Sequence, residues 1–188
     1  MPNWTAVYAS ENHTASASLQ RQSRPNSPIL STMFETRAAA AADAAIVTAH
    51  RRAMFADMGR THDSVLDAMA RKFEPWVTRM LVEGKYFGWI TRDGDRPVAS
   101  AGIMVLDWPP HPLDTEGEHR GYLLNVFVDP EFRRRGLAHA LVDLCLAEAH
   151  RRRLRVVALH TSDAGRPVYE AFGFRPTSEM LYVEPVEG

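Results

Sequence analysis

"VDPEFRRRGLAHALVDL", residues 128–144, closes an apolar run and opens a helical pattern, with three arginines and a glycine at the junction. Leu137, Leu141, Val142, Leu144, Cys145 and Ala149 recur at helical spacing, which predicts an amphipathic helix ending near "HRRR". Upstream, "GYLLNVFV" reads as a strand, and its imperfect alternation predicts burial on both faces in the middle of a sheet. Asp129-Pro130 stops that strand, because proline has no N–H to give to a ladder. A strand, a short turn and a helix N-terminus gather unpaired backbone N–H groups and the positive end of a helix dipole at one point, which suits an anion. Gly136 lets the anion approach the backbone, Arg133, Arg134 and Arg135 add fork-shaped donors, and small Ala138 keeps the first turn open. The expected ligand is a phosphate or pyrophosphate; the plainer alternative is a solvated arginine cluster beside a helix cap.

Working outward, the remaining chain supplies one α/β domain. "MFETRAA" predicts a first strand and Ala39 to Phe55 a first helix. A second helical pattern runs from Thr61, Asp63 or Ser64 to about Val82, where Pro75 predicts a kink or a split. "KYFGWITRDGDRPVASAGIMVL" predicts two strands joined around Asp93-Gly94, and "DWPPHPLDTEGEHR" a polar surface loop. "LRVVALH" predicts a buried strand, "AGRPVYEAFGF" a short helix closed by Gly173, and "FRPTSEMLYVEP" one or two last strands. This order implies a mixed sheet with helices on both faces, and neither an internal repeat nor a second domain is visible. Residues 1–32 are serine- and arginine-bearing without an apolar core, and are expected to be a disordered or non-native tail before a domain spanning 33–188.

Composition narrows the function classes. Twenty-two basic and 23 acidic residues give a net charge of −1, so no overall field favours nucleic acid or an anionic membrane. No run approaches the roughly 20 apolar residues that span a bilayer. A single cysteine, Cys145, excludes an internal disulfide framework and fits a reducing compartment, so the cytoplasm is the expected location. On the apolar face of its helix, Cys145 is expected to be core. The histidines lack ligand spacing, and no metal site is expected.

Arg133-x-x-Gly136-x-Ala138, following "NVFVDPEF", resembles the acetyl-coenzyme A motif of the GNAT superfamily of N-acetyltransferases, written R/Q-x-x-G-x-G/A. "PVYEAFGF", residues 167–174, is similar to the tyrosine-bearing helix and Gly-Phe that follow the fifth strand in those enzymes. Ala138 stands where glycine is commoner, a departure the motif allows, and the linker between the third and fourth strands is long. The resemblance implies a mixed sheet of about six to seven strands, splayed between strands 4 and 5, and direct acetyl transfer from acetyl-coenzyme A to a primary amine. It implies that the backbone of Val126, Phe127 and Val128 meets the pantetheine arm. It further implies that Arg133, Arg134, Arg135, Gly136, Leu137 and Ala138 hold the pyrophosphate, and that Tyr169 lies near the cofactor sulfur. The partner implied is a small-molecule or peptide amine; homodimers are common in the family, but the sequence shows no interface.

An amine attacking a thioester must be neutral, and needs an oxyanion donor and stabilisation of the departing thiolate. The fourth-strand backbone and Tyr169 suit the last two needs. For a general base the sequence offers Glu118, His119 and Asp129, none singled out by spacing. His139 is expected on the solvated surface, and Trp76 and Trp89 in the core. Trp108, on a loop, is a candidate to line the acceptor pocket. The acceptor is expected between the first two helices, around Met58 to Thr61, and the C-terminal strands. Two rival readings are a non-catalytic acyl-coenzyme A-binding or regulatory module, and a nucleic-acid binder using its arginines.

Overall fold

The structure is a computed structural model that describes residues 34–59, 61–177 and 180–182. Five strands form one sheet in sequential order: β1 (Glu35–Ala38), β2 (Tyr86–Asp93), β3 (Arg96–Asp107), β4 (His119–Val128) and β5 (Val157–Leu159). The first four are antiparallel, whereas β5 lies parallel to β4. Helices α1 (Ala44–Asp57) and α2 (Asp63–Val82) cover one face; α3 (Leu137–Arg151) covers the other, joined there by the short α4 (Arg166–Glu170).

Each face has its own apolar core. Leu137, Leu141, Val142, Cys145 and Ala149 of α3 pack on Ala99, Ala101, Ile103 and Leu123, while Val47, Phe73 and Val77 of α1 and α2 pack on Tyr86 and Ile90. Leu141 and Val77 are fully buried, and burial of such a side chain stabilises by roughly 1.5–3 kcal/mol. Cys145 sits in this core with its thiol pushed above its ordinary pKa by burial, as expected of a packing residue.

The β2–β3 hairpin turns on Gly94 and Asp95, one residue beyond the expected centre, with Asp93 opposite Arg96 and Gly94 at φ +56°. The first helix begins at Ala44, later than expected, after a tight turn over Ala41–Asp43 in which Asp43 accepts from Arg37 and from the Ala40 N–H. Pro75 does not split α2, which runs unbroken from Asp63 to Val82. Its missing N–H costs one helical bond, and burial of Leu66, Phe73 and Val77 along the same helix outweighs it. Five strands among the described residues stand against the six to seven expected. Residues 174–177 and 180–182 form no strand, and Met180, Leu181 and Tyr182 are almost fully exposed, so nothing there adds to the sheet. The rest of the expected C-terminal strands, and residues 1–32, lie outside the described residues. Among the described residues no helix is long and apolar enough to cross a membrane.

Two irregularities in β4 set up the site. Ser100 pairs with Phe127 and Gly102 with Leu124, so Ala101 alone faces Asn125 and Val126, which is a β-bulge in β4. Asn125 adopts φ +56° there. Beyond Leu123, β4 no longer pairs with β5: the parallel register covers only Gly121 to Leu123. The two strands therefore share one end and part company at the other, which is the splay that the resemblance implies.

Candidate functional site

The last half of β4 leads directly into the anion loop. Val128 ends the strand, and Asp129 caps the turn Pro130–Phe132 by accepting from the Glu131 N–H at 3.2 Å. Phe132 is buried beneath two guanidinium groups, those of Arg96 at 5.2 Å and Arg135 at 5.1 Å from its ring centre. Arg96 also binds Asp129 at 2.7 Å and Glu131 at 2.9 Å. These contacts fix the exit of the strand.

Arg133 is a brace. Its Nε donates to the Val128 carbonyl at 3.0 Å and its Nη2 to Asp57 at the end of α1. Arg134 at φ +60° and Gly136 at φ +81° then turn the backbone into the left-handed region before α3 begins. The N–H groups of Arg134, Arg135, Gly136, Leu137, Ala138 and His139 have no hydrogen-bond acceptor among the described residues; the first helical bond belongs to Ala140, to the Gly136 carbonyl at 3.0 Å. A concave run of such groups at a helix N-terminus is a nest for an anion. No atom of the described residues lies within 4 Å of where a Gly136 side chain would project, so a ligand has free approach to the backbone. The side chains of Arg133, Arg134 and Arg135 are all exposed. This arrangement fits a pyrophosphate held by backbone donors with guanidinium groups at the rim.

On the α1 side of the bulge lies a polar cluster that the sequence reading missed. Asn125 is buried; its side-chain amide donates to the Tyr86 hydroxyl at 3.3 Å and its carbonyl accepts from Arg51 Nη1 at 2.5 Å. Tyr86 reaches this far because Gly88 and Gly102, paired across β2 and β3, leave room for its ring; a side chain on either would collide with it. Burial drives the Tyr86 phenol well above its ordinary pKa. Nearer the root of the splay, Tyr122 of β4 and His160, just past β5, join hydroxyl to Nδ1. The one local signal for this cluster was an asparagine inside "LLNVF"; the other members meet only through the sheet.

Tyr169, on α4, packs against the α3 core and meets the Phe174 ring edge-on at 6.0 Å. Burial pushes its phenol up to about 12, with a lesser contribution from Cys145. Its hydroxyl has no hydrogen-bond partner among the described residues, and it stays protonated throughout the neutral range.

The structure sets the expected bases apart from the bulge. His119 faces Asp107 at 3.3 Å at the start of β4, six residues before Asn125, or roughly 20 Å at about 3.3 Å per residue. Glu118 is exposed just ahead of it, and Asp129 is occupied as a cap and by Arg96. Trp108 carries the Arg120 guanidinium over its ring at 3.3 Å, at that same end of β4. His139 is exposed against Phe172, and the arginines ending α3 are engaged locally, Arg151 and Arg152 with Glu148. A surface groove of about 570 Å³ between Leu146, Ala149, Leu154, Val157, Phe172 and Phe174 lies at the C-terminal end of α3, away from the nest.

Comparison with known proteins adds to this geometry. The model of the acetyltransferase (GNAT) family matches residues 48–174. The chain is 30% identical over 97 residues to human N-acetyltransferase 8, covering 50% of this chain and 40% of that protein. It is 34% identical over 112 residues to mycothiol acetyltransferase of Geodermatophilus obscurus, covering 57% of this chain and 33% of that protein. It thus spans well under two thirds of these curated relatives. Among solved structures, a GCN5-related N-acetyltransferase from Ralstonia eutropha superposes with a TM-score of 0.76 at 39% identity, covering 82% of this chain and 99% of that one. A predicted acetyltransferase from Clostridium acetobutylicum, solved with acetyl-CoA, superposes with a TM-score of 0.74 at 26% identity, covering 81% of this chain and 96% of that one.

Proposed function

The chain belongs to the GNAT acetyltransferase family, and from that premise we propose that residues 33–188 act as one domain transferring an acetyl group from acetyl-coenzyme A to a primary amine. The observation that carries this reading is the nest of unpaired N–H groups from Arg134 to Ala138, set at the end of a strand that has separated from its neighbour. Donors for a pyrophosphate lie at the mouth of the splay, and free strand edge runs inward from it.

In this reading the N–H groups of Arg134, Arg135, Gly136, Leu137 and Ala138 hold the pyrophosphate, with Arg133 bracing the loop. The edge of β4 over Val126, Phe127 and Val128, which β5 does not cover, offers backbone groups to the amides of the pantetheine arm, the Val128 carbonyl apart, which Arg133 holds. When bound, acetyl-coenzyme A supplies an activated thioester carbonyl. The backbone around the bulge stabilises the oxyanion that forms on it, and Tyr169 stabilises the departing sulfur. A thiol titrates near 8.5, so full proton transfer from a phenol at about 12 is uphill by on the order of 5 kcal/mol. Tyr169 therefore donates a hydrogen bond and keeps its proton. The acceptor amine arrives neutral, without a dedicated base, and the setting is the cytoplasm, as expected from the sequence.

Calorimetric titration of acetyl-coenzyme A into the wild type and into Gly136→Glu tests the reading. The carboxylate introduced into the nest should abolish binding while the protein stays folded by circular dichroism. Wild-type protein that does not bind acetyl-coenzyme A overturns the assignment. Binding without thiol release on any amine points to a non-catalytic module.

A further inference from the structure

Arg51 lies on the α1 side of the bulge as a charge without a counter-charge among the described residues. Its guanidinium carbon sits over the rings of Phe55 at 4.9 Å and Phe73 at 4.7 Å, and Nη1 reaches Asn125. Nε is sealed from solvent with no hydrogen-bond partner. The titratable groups close enough to influence it are the phenols of Tyr86 and Tyr122, not a carboxylate. The neighbouring arginine of the same helix differs: Arg52 binds Asp67 at 2.7 Å and Asp63 at 3.1 Å. Arg37, Arg96, Arg133, Arg151 and Arg152 likewise each meet a carboxylate.

A guanidinium taken out of water without an anion is costly, and part of that cost is recovered when a ligand supplies the anion. Arg51 stays partly exposed and Nε is sealed, so a ligand can reach the N–H donors of Nη2. Its position is informative because Asn125, which it holds, immediately precedes Val126, where the proposed pantetheine edge begins. A negative group on the acceptor would therefore bind beside β4, one residue before the proposed pantetheine edge begins. Among the described residues Arg51 is the one cation bonded to Asn125, which matches a single negative charge better than a doubly charged phosphate.

We propose that Arg51 is a specificity residue that binds a carboxylate of the acceptor, so the acceptor class is an amine that also bears a carboxylate, as free amino acids and their conjugates do. This inference rests on the acetyltransferase reading above.

The test measures thiol release from acetyl-coenzyme A by the full chain on amines paired to differ only in carboxylate or carboxamide: glycine and glycinamide, β-alanine and β-alaninamide, phenylalanine and phenylalaninamide. Phosphoethanolamine and spermidine complete the panel. The expected result is a kcat/KM at least tenfold higher for the acid than for its amide in one or more pairs, with the ratio falling toward one in Arg51→Gln and partly kept in Arg51→Lys. Amides carry the less basic amine, so ordinary reactivity runs against this outcome. Equal or better turnover of amides, spermidine or phosphoethanolamine overturns the carboxylate assignment and leaves acetyl transfer standing, as does an acid-to-amide ratio unmoved by Arg51→Gln. Should Arg51→Gln not fold, the wild-type ratio alone decides. Failure of acetyl-coenzyme A to bind, or binding without turnover of any amine, instead overturns the reading underneath.

Discussion

Arg133 joins the anion loop to the end of α1 by binding Asp57 with one end of its guanidinium while Nε holds the Val128 carbonyl. The helix that carries Arg51 and the loop proposed for the pyrophosphate are thus tied by one side chain.

With Nε and Nη2 bonded to protein on opposite sides of the loop, Arg133 contributes geometry more than direct phosphate contact. Arg133→Gln should weaken acetyl-coenzyme A binding by less than tenfold. A double-mutant cycle with Asp57→Asn should give a coupling of at most about 1 kcal/mol, since both groups are about half exposed. A hundredfold loss of affinity at unchanged unfolding temperature would show instead that the guanidinium leaves Asp57 for the phosphate.

Gly136 is required for its backbone angle. At φ +81° an L-residue is strained, yet nothing stands in the way of a methyl group. Gly136→Ala should therefore cost roughly 1–2 kcal/mol in urea unfolding while acetyl-coenzyme A still binds. A loss confined to binding would place the ligand closer to the glycine than the nest requires.

Tyr169 gives a signature at high pH. Its folded-state pKa, about 12, exceeds the ordinary 10, so between these values the folded chain holds a proton that the unfolded chain has released. Stability is fully present below pH 10 and declines as pH rises toward 12, by on the order of 2 kcal/mol. Tyr169→Phe should remove this part of the alkaline loss. It should also slow acetyl transfer about tenfold to a hundredfold, for one hydrogen bond to a developing anion.

His50 works in the opposite pH range. Its ring is buried against Phe127 at 4.8 Å and bonded to Ser100 at 2.9 Å, and burial holds its pKa below the usual 6.5. Below that value the unfolded chain binds a proton that the folded chain refuses, so the stability present above pH 6.5 is lost as pH falls. Urea unfolding at pH 7.5 and 5.5 should show a larger acid loss for the wild type than for His50→Gln.

Asn125 serves both its backbone angle and its two partners. Asn125→Ala strains φ and leaves Tyr86 and Arg51 unpartnered, for a loss of about 3 kcal/mol; Asn125→Gly, relieved of the strain, should lose about 1 kcal/mol less. Equal losses for the two would mean that the angle is not what selects asparagine here.

The anion loop could be read from the sequence because it is local: a strand end, Asp129-Pro130, three arginines and Gly136 all lie within one short stretch. Arg51, Tyr86, Tyr122 and His160 could not, because each belongs to a different element and they gather only when β2, β4, β5 and α1 assemble. The uneven alternation of "GYLLNVFV" had two causes. Burial on both faces was one, and the bulge at Asn125 was the other, invisible without the partner strand. Pro75 misled because a single lost helical bond is a local cost, set against tertiary packing that no local pattern reveals.

The bulge gives β4 two reading frames. Before it, Leu124 points toward α1 and α2 and Leu123 toward α3; after it, Phe127 meets His50 of α1 while Val126 and Val128 turn to α3. Asn125 is the inserted letter between the frames. Flattening the bulge with Asn125 kept in the ladder would restore uniform alternation at the cost of exchanging the layers of every residue that follows, sending Phe127 into the α3 core and turning over the amides at the mouth of the splay. A change that makes the strand more regular would thus erase the edge on which the proposed cofactor site is written.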